Sequence, residues 1–152
     1  MIRSDKAYEE SLKRVEENSK VIEAQRQELL RLGIPIEKQI AAMAPLINFT
    51  EDIKYEIIQY ERIKRGDFSD FQKPEDIGRL LIAIRIAQGI TQRELADRLG
   101  VSEAQVSRDE RNEYHKASYE RIQTVLKALR REIQLTVLES NDKNLDKEFV
   151  NR

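Results

Sequence analysis

The chain has 152 residues, 39% hydrophobic and 36% charged, with a formal net charge of −1, a size that suits one domain or a small domain with an extension. Five glycines and three prolines leave long stretches without a helix breaker, which argues against a sandwich or barrel built on many tight turns. Cysteine is absent, excluding disulfides and thiolate metal sites; no apolar run nears the ~18–20 residues of a membrane span and no signal core is visible, so a cytoplasmic protein is expected.

The first expected element is one long helix over residues 4–32, with Ser4 and Asp5 suited to its start and Gly33 as the first breaker. Tyr8, Leu12, Val15, Ser19, Ile22, Arg26 and Leu29 recur in the 4-3 spacing of a heptad seam with two polar members. Such a helix meets a partner helix in its own chain or another copy, or lies on an ordinary core. "GIPIEKQIAAMAP" reads as a short second helix, opened by Pro35 and closed by Pro45. "LINFTEDIKYEIIQYERIKRG" reads as a third, with Phe49, Ile53, Ile57, Tyr60 and Lys64 down one stripe and Gly66 as its stop. Residues 1–70 are therefore expected to form a helical hairpin region serving dimerisation or partner binding.

"DFSDFQKPED" is a polar break and sets the expected domain boundary near residue 70. The expected domain spans 71–139, and from Pro74 to Arg131 its pattern is four or five short helices, the first lined by Ile77, Leu80, Leu81, Ile84 and Ala87 and ended by Gly89. Then the period changes. Ile133, Leu135 and Val137 alternate with Gln134, Thr136 and Leu138, which favours a short strand. Residues 140–152 read as a polar, loose tail. The fold class expected is mainly α. The charge is unevenly spread: net zero over 1–66, −3 over 67–77, +4 over 78–131 and −2 over 132–152. The positive balance falls on the short-helix segment, a hint of a polyanionic partner.

Within that segment, "ITQRELADRLGVSEAQVSR" carries two helix-start signals in quick succession. Thr91 to Glu94 is T-x-x-E, a capping box that satisfies two otherwise unpaired backbone N–H groups. Ser102 to Gln105 is S-x-x-Q, a second box one short turn later, and Gly100 between them suits a left-handed turn. Helices so close must cross steeply, with Ala96 near the crossing and Val101 and Val106 completing the wedge. The second helix then projects its first turns outward, which is the helix-turn-helix arrangement.

Gln92, Ala96, Gly100 and Val106 fall at the first, fifth, ninth and fifteenth places of the twenty-residue helix-turn-helix pattern. With "GRLLIAIRIAQGI" before it and "SYERIQTVLKALR" after it, the segment resembles the Cro and phage-repressor (XRE) family of DNA-binding domains over about residues 75–131. The resemblance implies a five-helix domain that docks its recognition helix, near residues 102–111, in the major groove of a double-stranded DNA operator. It implies that Gln92 caps the second helix and meets phosphate, and that Glu103, Ala104 and Arg108 enter the groove. It places Gln105, Ser107 and Arg111 where phosphate or further base contacts are common. The chemistry of each position agrees. Arg108 suits guanine O6 and N7, Ala104 suits a thymine methyl, and Glu103 suits cytosine N4 or the orientation of Arg108. Gln92 at a helix start suits phosphate. One departure is Asp109 at the usually apolar eighteenth place; either Tyr114 or Tyr119 fills the volume, or an arginine at the helix end pairs with it.

"SDKAYEESLKRVEE" and "EIIQYERIKRGDF" resemble the N-terminal helical region of HigA-type antitoxins, and a terminal strand such as "REIQLTVLES" is also seen among them. That resemblance implies a toxin protein as a second partner. Catalysis is not expected: the chain has one histidine, His115, no cysteine, no Gly-rich phosphate loop and no metal-ligand spacing. No cofactor is expected either. The contest is between a homodimeric sequence-specific repressor and an antitoxin that grips a toxin through its helices or strand. A protein-interaction module is the further alternative.

Overall fold

The structure, a computed structural model, describes residues 1–134 and 136. Among them are six α-helices and no strand: α1 (Asp5–Arg31), α2 (Ile36–Lys64), α3 (Ile77–Ala87), α4 (Gln92–Leu99), α5 (Glu103–Arg111) and α6 (Tyr119–Ala128), with a 3-10 turn at Pro74–Asp76. Residues 131–134 have no regular structure, and Leu135, Val137 and Leu138 of the expected strand, like the tail 140–152, lie outside the described residues. No helix among those described is long and apolar enough to cross a membrane.

Helix α1 starts as its sequence dictates. The Ser4 hydroxyl accepts from the Ala7 N–H at 3.2 Å, filling one of the first-turn donors that a helix cannot satisfy internally. It ends at Gly33, whose φ of +65° lets the Ile34 N–H reach back to the Leu29 carbonyl at 3.1 Å, a left-handed termination that glycine adopts without a Cβ penalty. The chain then reverses into α2, and the two helices pack along one another as a hairpin.

The hairpin corrects three expectations. First, α2 is one helix of 29 residues with Pro45 inside it. Proline removes the bond to the residue 41 carbonyl, but Ala41, Ala42 and Pro45 all face solvent, where water replaces that bond. Burial of Met43 and Thr50 on either side of the proline carries the helix through. Second, the seam on α1 is Tyr8, Ser11, Val15, Asn18, Ile22 and Leu29, each half-buried, whereas Leu12, Ser19 and Arg26 are exposed. The polar members belong there: Asn18 donates to the Thr50 hydroxyl at 3.0 Å across the hairpin. Third, the inner stripe of α2 runs through Met43, Thr50, Ile57, Tyr60 and Ile63, leaving Phe49 48% exposed and Lys64 exposed.

Beyond α2 the polar break is tied down rather than loose. Arg62 binds Asp67 at 2.9 Å, Ser69 at 2.9 Å and Asp70 at 2.8 Å, and Arg79 lies over the Phe71 ring at 5.4 Å. Helix α3 follows as the central element. Leu81 to Ile86 are six consecutive buried residues, because α2, α5 and α6 all pack around it. Ile57, Tyr60 and Ile63 from α2 join Leu81, Ile82 and Ile86, Leu95 and Ala96, Val106, Val125 and Leu129 in one continuous apolar cluster, together with Ile2. The break near residue 70 divides the sequence, but the core runs across it.

Candidate nucleic-acid interface

Helices α4 and α5 form the motif the spacing requires. The Thr91 hydroxyl accepts from the Glu94 N–H at 3.1 Å and the Glu94 carboxylate accepts from the Thr91 N–H at 2.7 Å, a complete capping box. The carboxylate also accepts from the Thr91 hydroxyl at 2.9 Å, and the two bonds it accepts, the Thr91 N–H first and the hydroxyl second, hold the Glu94 carboxyl below its ordinary range. Gly100 takes φ 66° and ψ 32°, and the Val101 N–H closes on the Ala96 carbonyl at 3.0 Å. Ser102 caps α5 by accepting from the Gln105 N–H at 3.2 Å. The second box is only half formed, because the Gln105 amide donates to Asp109 at 2.6 Å instead of returning to Ser102. Ala96 (1% exposed) and Val106 (0%) sit at the crossing, where larger side chains would hold the helices apart.

At 100° per residue, Glu103, Ala104, Ser107, Arg108 and Arg111 fall within an arc of about 140° on α5. Glu103, Ala104, Arg108 and Arg111 are exposed and Ser107 is half-buried. Gln105 stands on the flank of this arc, half-buried and engaged with Asp109. Among the described residues neither Arg108 nor Arg111 forms an ion pair, so both guanidinium groups keep their donors. Gln92 lies half-buried at the first turn of α4. His115 is exposed beyond α5.

Beneath this face lies a group of residues that the motif spacing does not announce. Arg85 of α3 is 3% exposed and Glu110 of α5 is 0% exposed. The guanidinium donates to both carboxylate oxygens through Nε and, at 2.8 Å, through Nη2. It also donates to the Ile90 carbonyl at 2.8 Å and the Arg3 carbonyl at 3.1 Å. Gln92 Nε2 donates to the same carboxylate at 2.8 Å, which leaves the second N–H of that amide directed elsewhere. One buried ion pair thus fixes α5 to α3, orients Gln92 and ties down the start of the chain. The signal was present: a lone arginine inside the apolar run "LLIAIRIA" has to find a buried acceptor.

Asp109 is accommodated by an arginine at the start of the next helix. Arg121 Nη2 meets it at 2.8 Å, both side chains being about three-quarters buried. Tyr114 is buried beside it, with its N–H on the Asp109 carbonyl at 2.8 Å, while Tyr119 is 66% exposed. The loop from α5 to α6 turns through left-handed backbone at Glu113, Tyr114 and Lys116 (φ 50°, 52° and 62°). It passes so close to α3 that a Cβ on Gly78 would lie 1.8 Å from the Glu113 carbonyl oxygen.

Residues 81–135 match the family model described as helix-turn-helix, of the XRE type. The segment is a helix-turn-helix domain, the DNA-binding module of transcription regulators, and it makes up a little over a third of the chain. The match does not reach the α1–α2 hairpin. No curated protein and no solved structure matches the chain.

Proposed function

We propose that this chain is a repressor-like transcription regulator that binds double-stranded DNA sequence-specifically as a homodimer. The observation that carries the reading is the outward arc of α5, with Arg108 and Arg111 exposed and, among the described residues, without an ion pair beside Ala104. In this reading Arg108 makes the bidentate contact to guanine, Ala104 meets a thymine methyl, and Glu103 accepts from cytosine or orients Arg108. Gln92 offers phosphate its remaining amide N–H together with the first N–H groups of α4. Arg111, Ser107 and Gln105 flank the groove. Two such helices on a two-fold axis read half-sites about one helical turn apart.

The test is selection of duplexes from a random library, followed by titration on the selected site and its single-base variants. Arg108→Ala is expected to cost about 1–3 kcal/mol on the preferred site and to flatten discrimination at one base pair. Gln92→Ala is expected to weaken every sequence alike. Uniform weakening by Arg108→Ala would overturn the assignment of that residue as a base reader, and a strictly monomeric mass on and off DNA would overturn the dimer.

A second reading, an antitoxin that also binds a toxin, is favoured by the far end of the hairpin. Leu30, Leu32, Ile36 and Ile40 are each 50–58% exposed there, an apolar patch of the kind that marks protein contacts. Co-expression with the product of an adjacent reading frame tests it. The expected complex is lost in Leu32→Ser/Ile36→Ser, and a complex unaffected by that pair overturns the hairpin tip as the toxin site.

A further inference from the structure

A cleft of about 420 Å³ opens where the start of the chain passes the start of α4. Arg3, Lys6 and Lys64 line it together with Gly89, Thr91 and Gln92. Its two acidic residues are Asp5 and Glu103. Asp5 is already occupied, accepting from Lys64 at 3.0 Å and from the Tyr60 hydroxyl at 2.8 Å, and Glu103 stands at the recognition helix. Lys6 is 86% exposed, its nearest carboxylate Glu10 at 3.9 Å on the same helix. The part-exposed Arg3 side chain reaches Glu113 only at 3.9 Å and donates no hydrogen bond among the described residues. Two cations with donors to spare therefore face the residue placed on phosphate.

We infer that the N-terminal hairpin is a second clamp on the DNA backbone, with Lys6 and Arg3 meeting phosphates past the one held by Gln92. The inference rests on the DNA-binding reading above. Lys6 and Arg3 line the same cleft as Gln92, and charges that close to a bound strand are the ones salt screens least. The hairpin lies outside the base-reading arc of α5, so the clamp adds affinity and length of footprint without adding readout. Lys64 contributes by neutralising Asp5, which otherwise would repel the strand.

Each phosphate neutralised steepens the dependence of log K on log salt by about 0.9, worth up to about eightfold in affinity at 0.1 M. The experiment is titration of the full chain on its selected duplex at several salt concentrations, with hydroxyl-radical footprinting. Lys6→Gln is expected to lower the slope by about 0.9, to shorten the footprint on its outer side and to keep the preferred sequence. Arg3→Gln is expected to do the same, with its melting curve checked against the wild type. Lys13→Gln is the control, since it makes the same charge change two turns along α1 away from the cleft, and it is expected to leave both readouts alone. An unchanged slope in Lys6→Gln, or an equal change in Lys13→Gln, overturns the clamp while leaving the DNA reading intact. A wild-type chain that selects no duplex overturns both.

Discussion

Replacing Glu110 tests whether one buried ion pair holds α5 in place. Glu110→Leu keeps roughly the volume but leaves the Arg85 guanidinium 3% exposed with only the carbonyls of Ile90 and Arg3, and it strips Gln92 of its acceptor. Removing one partner of a buried pair costs about 3–5 kcal/mol. For a chain of this length that lowers the melting temperature by about 6–20 °C, at 2–4 °C per kcal/mol. Arg85→Met is expected to cost less, because an orphaned carboxylate can take up a proton whereas an orphaned guanidinium cannot lose one. The double variant Arg85→Met/Glu110→Leu removes both charges, and such exchanges are often neutral or stabilising. Here Gln92 and two carbonyls still lose partners, so the double variant is expected to fall about 1–2 kcal/mol below the wild type. Urea unfolding of the four proteins gives the coupling energy directly. A Glu110→Leu loss under 1 kcal/mol, or single losses that simply add in the double variant, would refute the reasoning.

Pro45→Ala is expected to stabilise the chain by about 1–2 kcal/mol, the helical cost of proline near 3 kcal/mol being partly offset by a freer unfolded chain; thermal melting checks it. Gly78→Ala is expected to destabilise by at least about 1–3 kcal/mol, because its Cβ meets the Glu113 backbone oxygen and not a flexible side chain; a melting temperature equal to the wild type's would refute the close approach. Arg62 first, and Ser69 after it, hold the Asp67 carboxyl well below its usual range. Its folded pKa is depressed, so its contribution is full above the unfolded value near ~3.9 and disappears as pH falls through the folded one. The stability gap between wild type and Asp67→Asn is therefore expected to be constant above about pH 5 and to close in acid.

The helix-turn-helix was legible because its rules are local. A capping residue, a small residue at the crossing and a left-handed turn are each set by chemistry within about twenty residues, and Thr91, Ala96 and Gly100 occupy those places in the structure. The hairpin was less legible because several of its choices are tertiary. Leu12 and Asn18 compete for the α1 seam, and Asn18 is on it because Thr50 offers an oxygen at the right height on α2. Pro45 reads as a stop until the burial around it is known. The candidate site divides in the same way. The outward residues follow from spacing, whereas the bond from Gln92 to Glu110, eighteen positions later, requires the fold. The cleft with Arg3 and Lys6 requires it even more, since the packing of α2 on α3 and the Arg85 bond to the Arg3 carbonyl are what bring residues 3–6 to the start of α4.

The Arg85 contact to the Arg3 carbonyl spans 82 positions, and the one to Glu110 spans 25. Ribosomal synthesis proceeds from the amino end at about 5–20 residues per second, so α1 and α2 are complete roughly 2–9 seconds before residue 110 is made. During that interval the hairpin can zip along its own seam, but Ile57, Tyr60 and Ile63 still await α3 and the rest of the core. The residues before α1, made well ahead of α5, are thus among the last to be locked. A nascent chain halted after α2 carries an uncovered apolar end, the kind of surface that chaperones hold, and it becomes self-sufficient only when α5 delivers its carboxylate.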